Sequence, residues 1–215
     1  MDDPACDPRR LAATYARFGI VNRLVSGWGR VYRDRLRPAL RALDRPARVL
    51  DLGSGGGDLL GRLARLARAD GLSVEWVGAD PDARAIAASR AAPGIAHVRA
   101  TSGDLRRAGE RFDAVVSNHV LHHLSDDELQ RFAGDSLALS SGIVLHADIA
   151  RSRRAYGLFA VGITPLAPGT FLRTDGLRSI RRSYTRSELQ SALGAPWQVE
   201  SPAAFRLLAV GDGRG

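Results

Sequence analysis

Between residues 47 and 150 the chain alternates short apolar runs with segments whose apolar residues recur every three or four positions. ARVLDLG, starting at Ala47, is a near-continuous apolar run of the length expected for a buried parallel strand. DLLGRLARLARAD follows it, with Leu59, Leu60, Leu63, Leu66 and Ala67 at helical spacing and Gly71 just beyond the end. LSVEWVGAD predicts a second strand, and PDARAIAASRAA a helix opened by Pro81. IAHVRATSGD predicts a third strand, RFDAVVSN a fourth and SGIVLHADI a fifth. Before the fifth, SDDELQRFAGDSLAL reads as a helix capped by Ser125, with Glu128 closing a capping box. Five such units predict an open α/β sheet with helices on both faces.

Two regions fall outside that rhythm. Residues 8–43 are helical in pattern, with Tyr15, Phe18, Trp28 and Tyr32 set among arginines. Preceding the first strand, they are expected on the rim of the sheet or over its ligand edge. Residues 151–183 hold a helix, RRAYGLFAVGI, and then a loop, TPLAPGTFLRTDG. TRSELQSAL is a second capping-box helix, with Thr185 and Glu188 as the pair. WQVES and FRLLAVG close the chain as an antiparallel hairpin joined at Pro202. The division expected is an N-terminal helical segment over 1–45 and a main domain over 46–215, with an insertion at about 151–183.

Composition narrows the classes. A chain of 215 residues, 45% hydrophobic and 25% charged, can bury one sizeable core. No apolar run is long enough to span a bilayer, and MDDPACDPRR lacks the apolar stretch of a secretory leader, so the expected compartment is cytoplasmic. One cysteine, Cys6, excludes an intrachain disulfide and a cysteine-based zinc site. The net charge of +8 comes entirely from arginine, for the chain has no lysine. Those arginines are dispersed among acids, which favours a solvated basic surface over a nucleic-acid footprint.

The stretch VLDLGSGGGDLL carries the first chemistry. A dinucleotide fingerprint needs glycine at the position held by Asp58; here the glycines are Gly53, Gly55 and Gly57. A carboxylate there would repel a pyrophosphate at the helix N-terminus, although an acid in a first turn also simply suits the helix dipole. A phosphate-binding loop fails for want of a lysine. D-x-G-x-G-x-G after a strand resembles the first motif of the class I S-adenosylmethionine methyltransferases, whose cofactor is cationic. Asp80 in VGADPD, SGDL at 102–105 and FDAVVSNHVLHHL at 112–124 are similar to that family's later motifs, in order and each at a strand's carboxyl end.

The resemblance implies a Rossmann-like sheet of seven strands, mostly parallel with the last antiparallel, behind an N-terminal helical lid over 1–45 and a lid insertion at about 151–183. It implies S-adenosylmethionine contacts from Asp51, Gly53, Ser54, Gly55 and Gly57, from Asp80 and Pro81, from Gly103, Asp104 and Leu105, and from Asn118 and His119. Asp80 would accept the ribose hydroxyls or serve as a helix cap; Asp104 would meet the adenine amino group or be a turn aspartate. LHHL resembles small-molecule enzymes acting on quinones or aromatic polyketides. No Asp/Asn-Pro-Pro-aromatic turn follows the fourth strand, which disfavours nucleic-acid amino methylation. The reading is O-methylation of a phenolic or polyketide-like molecule by a monomer or homodimer. C-methylation of a quinone ring, a tRNA or rRNA methyltransferase, and a non-methylating S-adenosylmethionine-binding enzyme remain open. Candidate acid–base groups are His119, His122, His123, His146 and Asp148, with His123 and Asp148 first. Any of these histidines could instead be core. Tyr15, Phe18, Tyr156, Phe159 and Arg182 are candidate substrate contacts, and no metal site is expected.

Overall fold

The computed structural model describes residues 7, 9–10, 13–14, 17, 27–89 and 93–214. Seven strands, β1 (Ala47–Leu52), β2 (Val74–Ala79), β3 (Ile95–Val98), β4 (Phe112–Asn118), β5 (Ser140–Ile149), β6 (Gln198–Glu200) and β7 (Arg206–Asp212), form one sheet in the order 3-2-1-4-5-7-6. Pairing is parallel from β3 to β5, and β7 runs antiparallel to both β5 and β6. The order reverses between β1 and β4, so a crevice opens at their carboxyl ends, where open α/β sheets bind ligands. The expected seven-stranded sheet with a reversed last strand is the one observed.

Side-chain alternation along the strands feeds two cores, one per face. Leu50 and Leu52 of β1 join Val115, Leu129, Leu189 and Trp197. Ala47 and Val49 join Leu60, Leu63, Trp76, Ala114 and Val116. The second core also takes Trp28, Val31, Tyr32, Leu36 and Leu40. These belong to α1, a continuous helical run through Trp28–Val31, Tyr32–Leu36 and Arg37–Arg41. That part of the N-terminal region therefore packs on a sheet face, not only at the rim as its place in the chain suggested. Five apolar side chains on one stripe of a helix demand such burial.

Further α-helices among the described residues are α2 (Asp58–Ala69), α3 (Ala83–Ala88), α4 (Ser102–Arg107), α5 (Asp126–Leu139), α6 (Arg153–Gly162), α7 (Leu172–Arg182) and α8 (Arg186–Leu193). Both expected capping boxes form, Ser125 with Glu128 and Thr185 with Glu188. Three boundaries differ from the sequence pattern. β3 stops at Val98, and Thr101 caps α4 with Asp104 as its capping-box partner, so SGDL is a first helical turn. The cap of α3 is Asp82, which accepts the Arg84 N–H, and Pro81 lies outside the helix. Part of the stretch read as a loop after residue 163 is α7, which buries Leu172 and Ile180. Gly176 within it does not break the helix; a Cβ there would collide with the Phe159 ring, so it serves close packing of α7 on α6. The final hairpin forms with Pro202 in its connection.

Candidate active site

The loop from β1 to α2 is built by glycines in the left-handed region: Gly53 at φ 70°, Gly55 at 52° and Gly57 at 79°. L-residues pay for that conformation, and at two positions space forbids a side chain as well. A Cβ on Gly53 would lie 2.6 Å from Val120 Cγ2, and one on Gly57 would lie 2.8 Å from His97 Cε1. Gly55 and Gly56 instead face open space. Asp80 ties the loop to β2: its Oδ2 accepts the Gly55 N–H at 2.9 Å and its Oδ1 the Asp82 N–H at 2.9 Å.

Asp51 sits beneath this loop, 1% exposed, with Oδ1 unpartnered. Burial, and then the Asp80 carboxylate, push the Asp51 carboxyl well above the usual range. Ser54 Oγ is likewise buried and unpartnered. Two carboxylates and an unsatisfied hydroxyl beside an open glycine turn suit a cationic ligand with hydroxyls, and S-adenosylmethionine fits that description. Asn118 closes the other side, its Oδ1 accepting the Trp28 Nε1–H at 3.1 Å.

The third expected contact is arranged differently. Asp104 Oδ2 accepts the Thr101 N–H and hydroxyl, and Oδ1 pairs with Arg107. Its carboxylate is thus engaged within its own helical turn instead of standing at a strand's end, as expected for an adenine contact. Gly103 and Leu105 flank it within α4.

At the carboxyl ends of β4 and β5 lies a buried polar network. Asp148 Oδ1 meets His122 Nδ1 at 2.7 Å, and its Oδ2 accepts the His122 N–H at 3.0 Å. The Ile149 N–H adds a third bond at 2.7 Å. Burial alone would raise Asp148, but His122 and His119 outweigh it and hold the carboxyl well below its ordinary range. His122 Nε2 is buried without a partner. His119, at φ 62°, has Nε2 3.3 Å from Arg206 Nη1, and burial lowers its imidazole to about 4 against the opposing pull of Asp148.

His146 is placed elsewhere. Its Nδ1 meets Ser117 Oγ at 2.8 Å, and its ring lies between Phe132 and Trp197. Burial lowers it to about 3, so it stays neutral and packs the core. His146 and Asp148 do share a face of β5, but only Asp148 reaches the edge network. His123 is exposed, its ring 4.2 Å from that of His122. Of the two adjacent histidines, His122 and not His123 pairs with Asp148; residues 121–123 form a single 3₁₀ turn that buries the first and exposes the second. A cavity of about 490 Å³ is lined by His122, His123, Leu124, Arg151, Arg182, Tyr184 and Glu188.

Of the expected substrate contacts, Arg182 lines that cavity. Tyr156 accepts a bond from Arg181 at 3.0 Å, and Phe159 packs at Gly176. Tyr15 and Phe18 lie outside the described residues. The N-terminal segment does reach the insertion: Arg17 donates to the Leu166 and Pro168 carbonyls, and Arg10 to that of Thr170. Two site residues escaped the sequence reading. Arg206 was hidden among 31 arginines, and His97, packed at Gly57, sits in a strand with no motif around it.

A family model described as "Methyltransferase domain" matches residues 25–195. The chain belongs to this methyltransferase family. Ubiquinone biosynthesis O-methyltransferases of Brucella ovis and Mesorhizobium japonicum are 36% and 37% identical to this methyltransferase over 120 residues, 54% of the chain and 46% of each relative. The match thus spans less than half the length of those relatives. Among solved structures, the plantazolicin methyltransferase BpumL, crystallised with a monoazolic desmethylPZN analog and SAH, superposes with a TM-score of 0.63 at 12% identity, covering 95% of this methyltransferase and 94% of that chain. The CurJ carbon methyltransferase gives 0.58 at 16% identity, covering 84% and 52%. Both likenesses are of fold. No described helix of the methyltransferase is long and apolar enough to cross a membrane.

Proposed function

We propose that this methyltransferase methylates a hydroxyl of a small phenolic or polyketide-like molecule, with His122 as general base and Asp148 as its positioning residue. The observation carrying this reading is the buried Asp148–His122 pair beside an open cavity. The relatives named as ubiquinone O-methyltransferases support the oxygen acceptor. Bound S-adenosylmethionine supplies an electrophilic methyl group on a positive sulfonium. Asp51, Ser54, the Gly53–Gly57 turn and Asp80 would hold it.

A phenol has a pKa near 10 and is a poor nucleophile at neutral pH until its proton is drawn off. Nδ1–H of His122 donates to Asp148, which fixes the tautomer and leaves the Nε2 lone pair to accept that proton. The resulting imidazolium is stabilised by the ionised Asp148 carboxylate. Both Asp148 oxygens are engaged, by three donors, and its carboxyl is held well below the ordinary range, so it holds the ring and does not itself take the proton. The exposed His123 ring lies 4.2 Å from that of His122, and both line the cavity.

The test is transfer of a labelled methyl group to a panel of phenols, hydroxyquinones and bulk RNA. Label on a phenolic oxygen that falls at least 100-fold in His122→Gln but little in His123→Gln agrees with the proposal. Label on a ring carbon, or on RNA alone, contradicts it.

A further inference from the structure

Arg206, the first residue of β7, is 7% exposed, yet among the described residues its guanidinium makes one hydrogen bond, at 3.3 Å, to the imidazole of His119. No carboxylate among the described residues lies within ion-pairing distance of it. Its stem packs near Gly27 and Ala203, and pairing with Ile149 across the sheet sets it at the carboxyl edge of β5. Five donors in a fixed fork match a carboxylate's two oxygens, and a buried charge left so sparsely paired is costly unless a ligand completes it.

The Asp148 carboxylate favours the Arg206 charge through space but makes no bond to it. Asp148 already receives the His122 N–H, His122 Nδ1 and Ile149 N–H, and Arg206 makes no hydrogen bond to it. Nor does His119 need a cation; burial keeps its ring neutral, and a neutral Nε2 accepts one N–H and leaves the others of Arg206 unused. We infer that Arg206 binds a carboxylate carried by the methyl acceptor, which makes the substrate class a hydroxylated aromatic or polyketide-like acid. The strand order places it on the acceptor's side: β7 stands three strand spacings from the glycine turn on β1, about 14 Å. Anchored there, an acid would reach back across the ends of β5 and β4, where His119 and His122 stand. The inference rests on the proposed site, but its test is binding and needs no turnover.

Calorimetry on the S-adenosylhomocysteine-loaded protein compares 3,4-dihydroxybenzoate with 3,4-dihydroxybenzamide, which has the same shape without the charge. The wild type is expected to prefer the acid at least tenfold, Arg206→Gln to lose the preference, and Arg206→Lys to keep part of it. S-adenosylhomocysteine affinity should stay within twofold in both variants, which also reports that they fold. The inference is overturned by a wild type with no preference for the acid, or by a preference that survives Arg206→Gln. A tenfold loss of S-adenosylhomocysteine affinity in both folded variants also overturns it, since the carboxylate held would then be the cofactor's. Should Arg206→Gln not fold, the wild-type preference and Arg206→Lys decide. Failure of the methylation proposal would show separately, as acid binding without methyl transfer.

Discussion

Desolvating a carboxylate costs several kcal/mol, and Asp148, 1% exposed, meets that cost with three donors from His122 and Ile149. Replacing it by Asn keeps the shape but removes the charge that favours the His122 imidazolium. Asp148→Asn should leave S-adenosylhomocysteine binding within twofold while turnover falls at least 100-fold. A variant that loses cofactor affinity and turnover in parallel would instead make Asp148 part of the cofactor site. Asp51 predicts a pH effect of the opposite kind. Its carboxyl is raised by burial and by Asp80, and a cation arriving beside it favours the ionised form. Binding of S-adenosylhomocysteine, with its ammonium, should therefore release a proton and weaken as pH falls through the raised value. Calorimetry in buffers of different ionisation enthalpy measures this; a buffer-independent heat would refute it. At this scale the sequence named the edge residues but not their pairings. VLHHL holds two candidate bases, and only the 3₁₀ turn shows that His122 faces Asp148.

At the scale of elements, the β1–α2 turn admits glycine for two separate reasons at Gly53, its φ of 70° and Val120 above it. Gly53→Ala should abolish measurable cofactor binding, whereas Gly56→Ala, facing open space at an ordinary φ, should fold normally; equal behaviour of the two would show the turn to be adaptable. Strand positions in the sheet were readable because buried parallel strands carry continuous apolar runs, as in ARVLDL and DAVVS. The capping boxes at Ser125 and Thr185 were readable because their signal is local and spans four residues. α7 was not: Gly176 and Pro168 read as loop residues, and the reason for Gly176, the Phe159 ring of α6, lies 17 residues away in sequence. β3 was over-extended because Thr101 and Asp104 are compatible with a strand's end until their reciprocal bonds are seen.

For the whole molecule, α1 joins the second core to the carboxyl edge of the sheet. Trp28 is fully buried among its residues, and its indole N–H holds Asn118 at the end of β4. Trp28→Ala should lower stability by about 3–5 kcal/mol, read as a shift of the urea midpoint, and should weaken cofactor binding as Asn118 is released. A variant of unchanged stability would show that α1 is dispensable to the core. Arg10 and Arg17 of the N-terminal segment reach the carbonyls of residues 166, 168 and 170 in the insertion. The sequence pointed to both segments, but contacts about 150 residues apart leave no periodic trace in it. The measurement closest to the central claim is the position of a labelled methyl group after turnover with a hydroxylated aromatic acid. The arrangement of His122, Asp148 and the cofactor turn predicts an aryl methyl ether, formed by the wild type and nearly absent in His122→Gln. Label on carbon, or ether formed equally well by His122→Gln, would contradict it.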